Sequence, residues 1–213
     1  MRARLTLGER VEAWASAERA LELAKHEPIE DPTFLRDVAR LAREAGALEV
    51  ARVSYRAAAA RAHLIPDRLL RTFVLLEAAS AALSAGPGGL DEARALVSAA
   101  EERGAPPGFS PWTKGLLALV LDRQGRGDAA FALARQAAAA ELPAGAVRPE
   151  LPALDVASIN ALLAEAELSP TLVKERWQTA VNALTPGEPW ADYTRVRAAR
   201  GGSGGLRDSA SRR

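Results

Sequence analysis

The stretch AREAGALEVARVSYRAAAA (residues 42–60) decides how the rest of the chain reads. Gly46 stands between two alanine-rich segments, at the kind of position where a helix ends and the chain reverses. Ala39 and Ala42 precede it, and Ala51, Tyr55 and Ala58 follow it at steps of three and four. Such steps place side chains on one helix face. Two helices approach closely only where small side chains let their backbones do so. A larger residue, here Tyr55, then fills the space left beside them.

The same offsets return along the chain. Around Gly125 they give Ala118, Leu121, Ala130, Ala134 and Ala137. Around Gly86 they give Ala79 and Ala82 and, after two extra residues in GPGGL, Ala93, Val97 and Ala100. A looser copy has Ala161, Ala164, Val173, Trp177 and Ala180, and Ala17, Leu21 and Ala24 match a second half-unit near the start. A unit of this kind hides only part of its apolar surface, and stacking on neighbours hides the rest.

Breakers separate the apolar periodic segments into helix-sized pieces. The spacing predicts a first helix over 8–25 and then four antiparallel pairs: 33–45 with 47–62, 67–85 with 89–103, 111–124 with 127–141, and 154–167 with 170–184. Asp67, Asp91 and Ser110 occupy expected N-cap positions, and Ser169 precedes Pro170 as cap followed by first-turn proline. A short helix is expected at 190–199. No segment alternates as a strand would.

These residues resemble the tetratricopeptide repeat (TPR) family. The segment 42–60 carries its small–Gly–Ala–aromatic–Ala pattern, and LALVLDRQGRGDAAFALARQAAA (117–139) carries it next best. The resemblance spans residues about 9 to 186. The intervals between Ala17, Ala51, Ala93, Ala130 and Val173 are uneven, and only Tyr55 and Trp177 fill the aromatic position. The resemblance implies an all-α, right-handed solenoid of about four helix-turn-helix repeats with an extra N-terminal helix. The alternative is an unrelated alanine-rich helical bundle. The expected organisation is a repeat domain over 1–186, a linker or short capping helix over 187–199, and a disordered basic tail over 200–213.

Composition excludes several chemistries. Of 213 residues, 48 are alanine and none is cysteine, so there is no disulfide, no Cys-ligated metal and no thiol nucleophile. His26 and His63 alone cannot build a multi-histidine metal site, and both stand near helix ends, where a cation complements the dipole. The acidic groups Glu27/Glu30/Asp31, Glu101–Glu102 and Glu165/Glu167 are sequence neighbours rather than carboxylates facing across a cleft. Arg126–Gly127–Asp128 reads as a turn between helices. GPGG (86–89) lacks the preceding strand and following Lys-Ser/Thr of a phosphate loop. Neither an enzyme, a cofactor nor a metal is expected. The N-terminal stretch lacks an apolar signal core and no run is long enough for a membrane span, so a cytoplasmic protein is expected, without membrane insertion.

Arg36, Arg40 and Arg43 recur at i, i+4, i+7 and so share one helix face. The TPR resemblance puts that face along a concave groove. The equivalent positions of the next two repeats are Leu76, Ser80 and Leu83, then Trp112, Leu116, Leu119 and Arg123. Together they would form a groove basic at one end and apolar at the other. It would take an acidic or apolar peptide or helix of another protein. The alternative is a solvated arginine face with Trp112 and the leucines in the core. The family's two-lysine, two-asparagine clamp for a C-terminal carboxylate is not matched. The expected function is a protein–protein scaffold or adaptor, chaperone roles included, with self-association open. Net charge of +1 disfavours nucleic acid as a partner. The rival readings are an arginine-rich tail serving nucleic acid, and a helical enzyme with a carboxylate site.

Overall fold

The computed structural model describes residues 30–44, 47–147, 149, 151–166 and 170–183, with the isolated positions 12, 15, 18 and 19. The described elements are helical throughout: α1 (Pro32–Glu44), α2 (Leu48–Ala60), α3 (Arg68–Ser84), α4 (Leu90–Glu102), α5 (Ser110–Arg123), α6 (Gly127–Ala138), α7 (Ala153–Ala166) and α8 (Pro170–Ala183), with single 3-10 turns at Ala62–Leu64, Pro87–Gly89 and Pro107–Phe109. Alanine and leucine lose little freedom in a helix, and they dominate these segments. The four expected pairs are present, with ends shifted by at most about three residues, an ordinary uncertainty for helix boundaries. In the expected first helix, Glu12, Ala15, Glu18 and Arg19 are helical and exposed. The rest of that helix, the segment 190–199 and the tail 200–213 lie outside the described residues.

Helix ends show why the chain turns where it does. Pro32 opens α1 as a first-turn proline, and the Asp31 carboxylate accepts the Thr33 N–H at 2.8 Å. Asp67 caps α3 by accepting the Leu70 N–H at 3.1 Å. Two expected caps are corrected. Asp91 lies inside the first turn of α4, where its charge meets the helix dipole, and Gly89 holds the cap position. Ser110 is the first residue of α5, and the cap position falls to Phe109. Ser169 is outside the described residues. Gly125, at φ 76°, closes α5 by a paired motif in which its N–H reaches the Asp122 carbonyl and the Arg126 N–H reaches that of Leu121. Gly104, at the same φ, closes α4 in the same way.

The chain divides into two compact units, Met1–Pro106 and Pro107–Arg213. In the first, α1 pairs with α2 and α3 with α4, and α2 packs on α3. In the second, α5 pairs with α6 and α7 with α8, and α7 packs on both α5 and α6. The core holds the residues singled out by offset. Ala39, Ala42, Ala51, Tyr55 and Ala58 are buried, as are Ala79, Ala82, Ala93, Val97 and Ala100. In the second unit Ala118, Ala130, Ala134, Ala137, Ala164, Trp177 and Ala180 are buried, whereas Leu121, Ala161 and Val173 are only partly so. Small residues at these places let each helix pair close, which is how α1 comes to carry its arginines over α3.

Candidate functional site

The arginine face of α1 lies against α2 and α3. Arg36 is bound into the structure. Its Nε donates to Glu77 Oε2 at 2.6 Å and its Nη2 to Oε1 at 3.0 Å, a two-point fork on a carboxylate of α3. Its guanidinium also sits 5.7 Å from the centre of the Phe73 ring. Both partners are withdrawn from water, with side-chain exposures of 14% for Arg36 and 4% for Glu77. Burial works against the Arg36 charge, and the bonded Glu77 carboxylate more than offsets it, so its pKa is raised.

The other two arginines are freer. Arg40 keeps a third of its side chain exposed and meets Asp37 one turn back at 3.6 Å, beyond hydrogen-bond length. Arg43 lies over the Tyr55 ring, 5.7 Å from its centre, and is half-buried. Tyr55 is fully buried and its hydroxyl has no hydrogen-bond partner. Burial raises its pKa far above that of a free tyrosine; the charges of Arg43, Arg36 and Arg40 oppose this and that of Glu77 adds to it. The phenol therefore stays neutral beside a basic patch.

The residues of the expected apolar half lie inside the fold. Leu76, Ser80, Leu83, Trp112, Leu116 and Leu119 are all buried, and the run Val74–Leu83 is buried on every side of α3. The alternative reading of these residues as core is the one that the structure follows. Covering a leucine or a larger side chain gains about 1.5–3 kcal/mol, so such residues are drawn inward when neighbouring helices can cover them. Trp112 also satisfies its indole N–H inside, donating to Asp155 Oδ2 of α7 at 2.8 Å. Arg123 is exposed near the end of α5. Arg36, Arg40, Arg43, Leu76, Ser80 and Leu83 thus come together in the first unit, and Trp112, Leu116, Leu119 and Arg123 belong to the second.

Four residues that set this geometry were not singled out from the sequence in this role: Glu77, Phe73, Asp155 and, as an arginine platform, Tyr55. A signal existed for Glu77. It is the one charge inside the apolar run FVLLEAASAAL (73–83), and a carboxylate in such a run needs a buried partner.

Paired helices, small residues at the crossings and stacked pairs within each unit are what a helical repeat requires. A crystal structure of a thermophilic TPR protein in Thermus thermophilus aligns with this chain at 25% identity, with a TM-score of 0.52, covering 92% of this chain and 91% of that one. The chain is a TPR-like helical repeat protein. No family model and no curated protein matches it by sequence. The TPR-like likeness explains why the alanine offsets persist while the intervals between them drift. Packing constrains the small residues at each crossing, and loops absorb insertions such as GPGGL. Among the described residues no helix is long and apolar enough to cross a membrane.

Proposed function

We propose that this TPR-like protein is a non-enzymatic interaction scaffold, and that Arg40 and Arg43 on α1 receive acidic side chains of a partner protein. A fold of this type supports a general protein-interaction role. The observation that carries the finer reading is the division of labour in the arginine stripe. Arg36 is occupied by Glu77, whereas Arg40 and Arg43 hold no carboxylate at hydrogen-bond distance among the described residues and stay partly exposed. Guanidinium forks match carboxylates in shape and charge. Beneath Arg43, Tyr55 provides an apolar, neutral floor, which strengthens a charge pair relative to open water.

The test is reversal of both charges, Arg40→Glu with Arg43→Glu, in the full chain. Partner capture from the native organism should fall about tenfold, on the scale of roughly 1.4 kcal/mol for two exposed pairs lost and reversed. The loss should shrink as salt rises toward the range where exposed charges are screened. The far-UV circular dichroism of the variant should match the parent. Undiminished capture would remove α1 from the binding surface. Arg36 is left unchanged in this test, because a glutamate there would face buried Glu77.

A further inference from the structure

The second unit contains an open cleft of about 220 Å³ that the arginine face does not explain. Its walls are apolar: Ala137 from the end of α6, Leu151 from the following loop, and Ile159 and Leu163 from α7. One edge is polar and is formed by Asn160 of α7 and Arg176 of α8. The Asn160 amide is oriented by donating Nδ2 to the Val156 carbonyl at 2.9 Å, which turns its Oδ1 toward Arg176. Arg176 Nη1 reaches that oxygen only at 3.4 Å, and among the described residues no carboxylate pairs with it.

Size and charge together narrow the occupant. Drug-sized ligands occupy pockets of roughly 300–1,000 Å³, so this cleft suits a single side chain. The walls call for an aliphatic group. The lining carries one charged side chain among the described residues, and that charge is positive. Its guanidinium has donors to spare for a planar anion.

We propose that this cleft binds a leucine-sized side chain with a carboxylate one helical turn away, presented by a segment of a partner polypeptide. The choice of a polypeptide rests on the interaction-scaffold reading; the aliphatic-plus-carboxylate chemistry rests on the cleft alone. Arg40 and Arg43 are not among the residues that line it.

The full-length chain, with labelled methyl groups, would be titrated with three probes while its spectrum is recorded. They are a short capped peptide with leucine and glutamate three residues apart, the same peptide with glutamine for glutamate, and 3-methylbutanoate as a free aliphatic acid. The methyl signals of Leu151, Val156, Ile159 and Leu163 should move with the glutamate peptide. The glutamine peptide should bind at least fivefold more weakly. Arg176→Gln should abolish that difference. Ala138→Phe, at an exposed position on the cleft margin, should block both peptides while the methyl signals of the first unit stay in place. No movement of the cleft methyls up to the solubility limit would overturn the proposal, as would equal affinity for the two peptides. Tighter binding of 3-methylbutanoate than of the glutamate peptide would overturn the polypeptide assignment. The Arg40→Glu, Arg43→Glu chain should titrate normally at the cleft, so a failure of the α1 reading and a failure here give different results.

Discussion

Arg36 and Glu77 stand 41 residues apart in sequence and form a half-buried ion pair between consecutive repeats. Such a pair is costly to break and cheap to replace. Removing one partner leaves the other charge without compensation in a desolvated place, whereas apolar replacement of both removes the penalty as well as the attraction. Arg36→Met should therefore destabilise the chain by about 3 kcal/mol, and Glu77→Leu by a similar amount. The double variant should recover most of the loss. Denaturant unfolding of the three variants completes the cycle. Additive losses in the double variant would mean that the two side chains do not depend on each other. The same logic identifies a residue that works against stability. The Tyr55 hydroxyl is buried without a partner, whereas the ring is fully buried and carries Arg43 over it.

At the scale of elements, two glycines show how closely pieces approach, and they differ in what they approach. A Cβ on Gly89 would lie 1.9 Å from the Ala82 carbonyl oxygen, so the turn between α3 and α4 presses on the backbone of α3. A Cβ on Gly115 would meet the Ile159 side chain and no backbone, with Cδ1 at 2.4 Å and Cγ1 at 3.1 Å. A helix backbone cannot retreat, whereas an isoleucine tip can rotate. Gly115→Ala also gains about 1 kcal/mol of helix propensity inside α5, which offsets much of the crowding. Gly89→Ala should lower the thermal midpoint clearly, by the equivalent of about 2 kcal/mol or more. Gly115→Ala should stay within about 1 kcal/mol of the parent. Equal losses in thermal scans would show that the α5–α7 contact is as rigid as the turn. Gly115 was legible only as a glycine inside a helical pattern. Its purpose, making room for Ile159, depends on a residue 44 positions away (159 minus 115) in a helix that nothing local places there.

For the molecule as a whole, the response to acid follows from carboxylates held charged by their neighbours. The hydrogen bond and charge of Arg56 lower the pKa of Glu92, against a smaller opposing effect of burial, and this links α2 to α4. Hydrogen bonds from Thr33 lower the pKa of Asp31 at the start of α1. A carboxylate whose folded pKa is depressed adds stability above its unfolded value, near 4.5 for Glu92, and loses it as pH falls through the folded value. The thermal midpoint should therefore be level at neutral pH and decline on acidification below about pH 4.5. Glu92→Gln should lie below the parent at pH 6 and converge with it near pH 3. Curves that stay parallel over that range would show that the Arg56–Glu92 pair adds nothing to stability.

Much of this architecture is local and was legible in the chain. Alanine and leucine content, the three-and-four spacing of apolar residues and the placement of Gly125 and of prolines such as Pro32 specify eight described helices and their pairing. Each of these signals acts within a turn or between neighbours joined by a short loop. The repeat offsets belong to the same level, because a small residue is required wherever two adjacent helices cross. Which members of a helix face remain available to a partner was not legible. A stripe such as Arg36, Arg40 and Arg43 has one spacing and one chemistry, yet Glu77 occupies only the first of the three. Leu76, Leu83, Trp112 and Leu119 look alike whether they line a groove or a core. Only the tertiary structure decided these matters, because burial and charge pairing depend on residues dozens of positions away, brought near by helices whose own formation does not involve them.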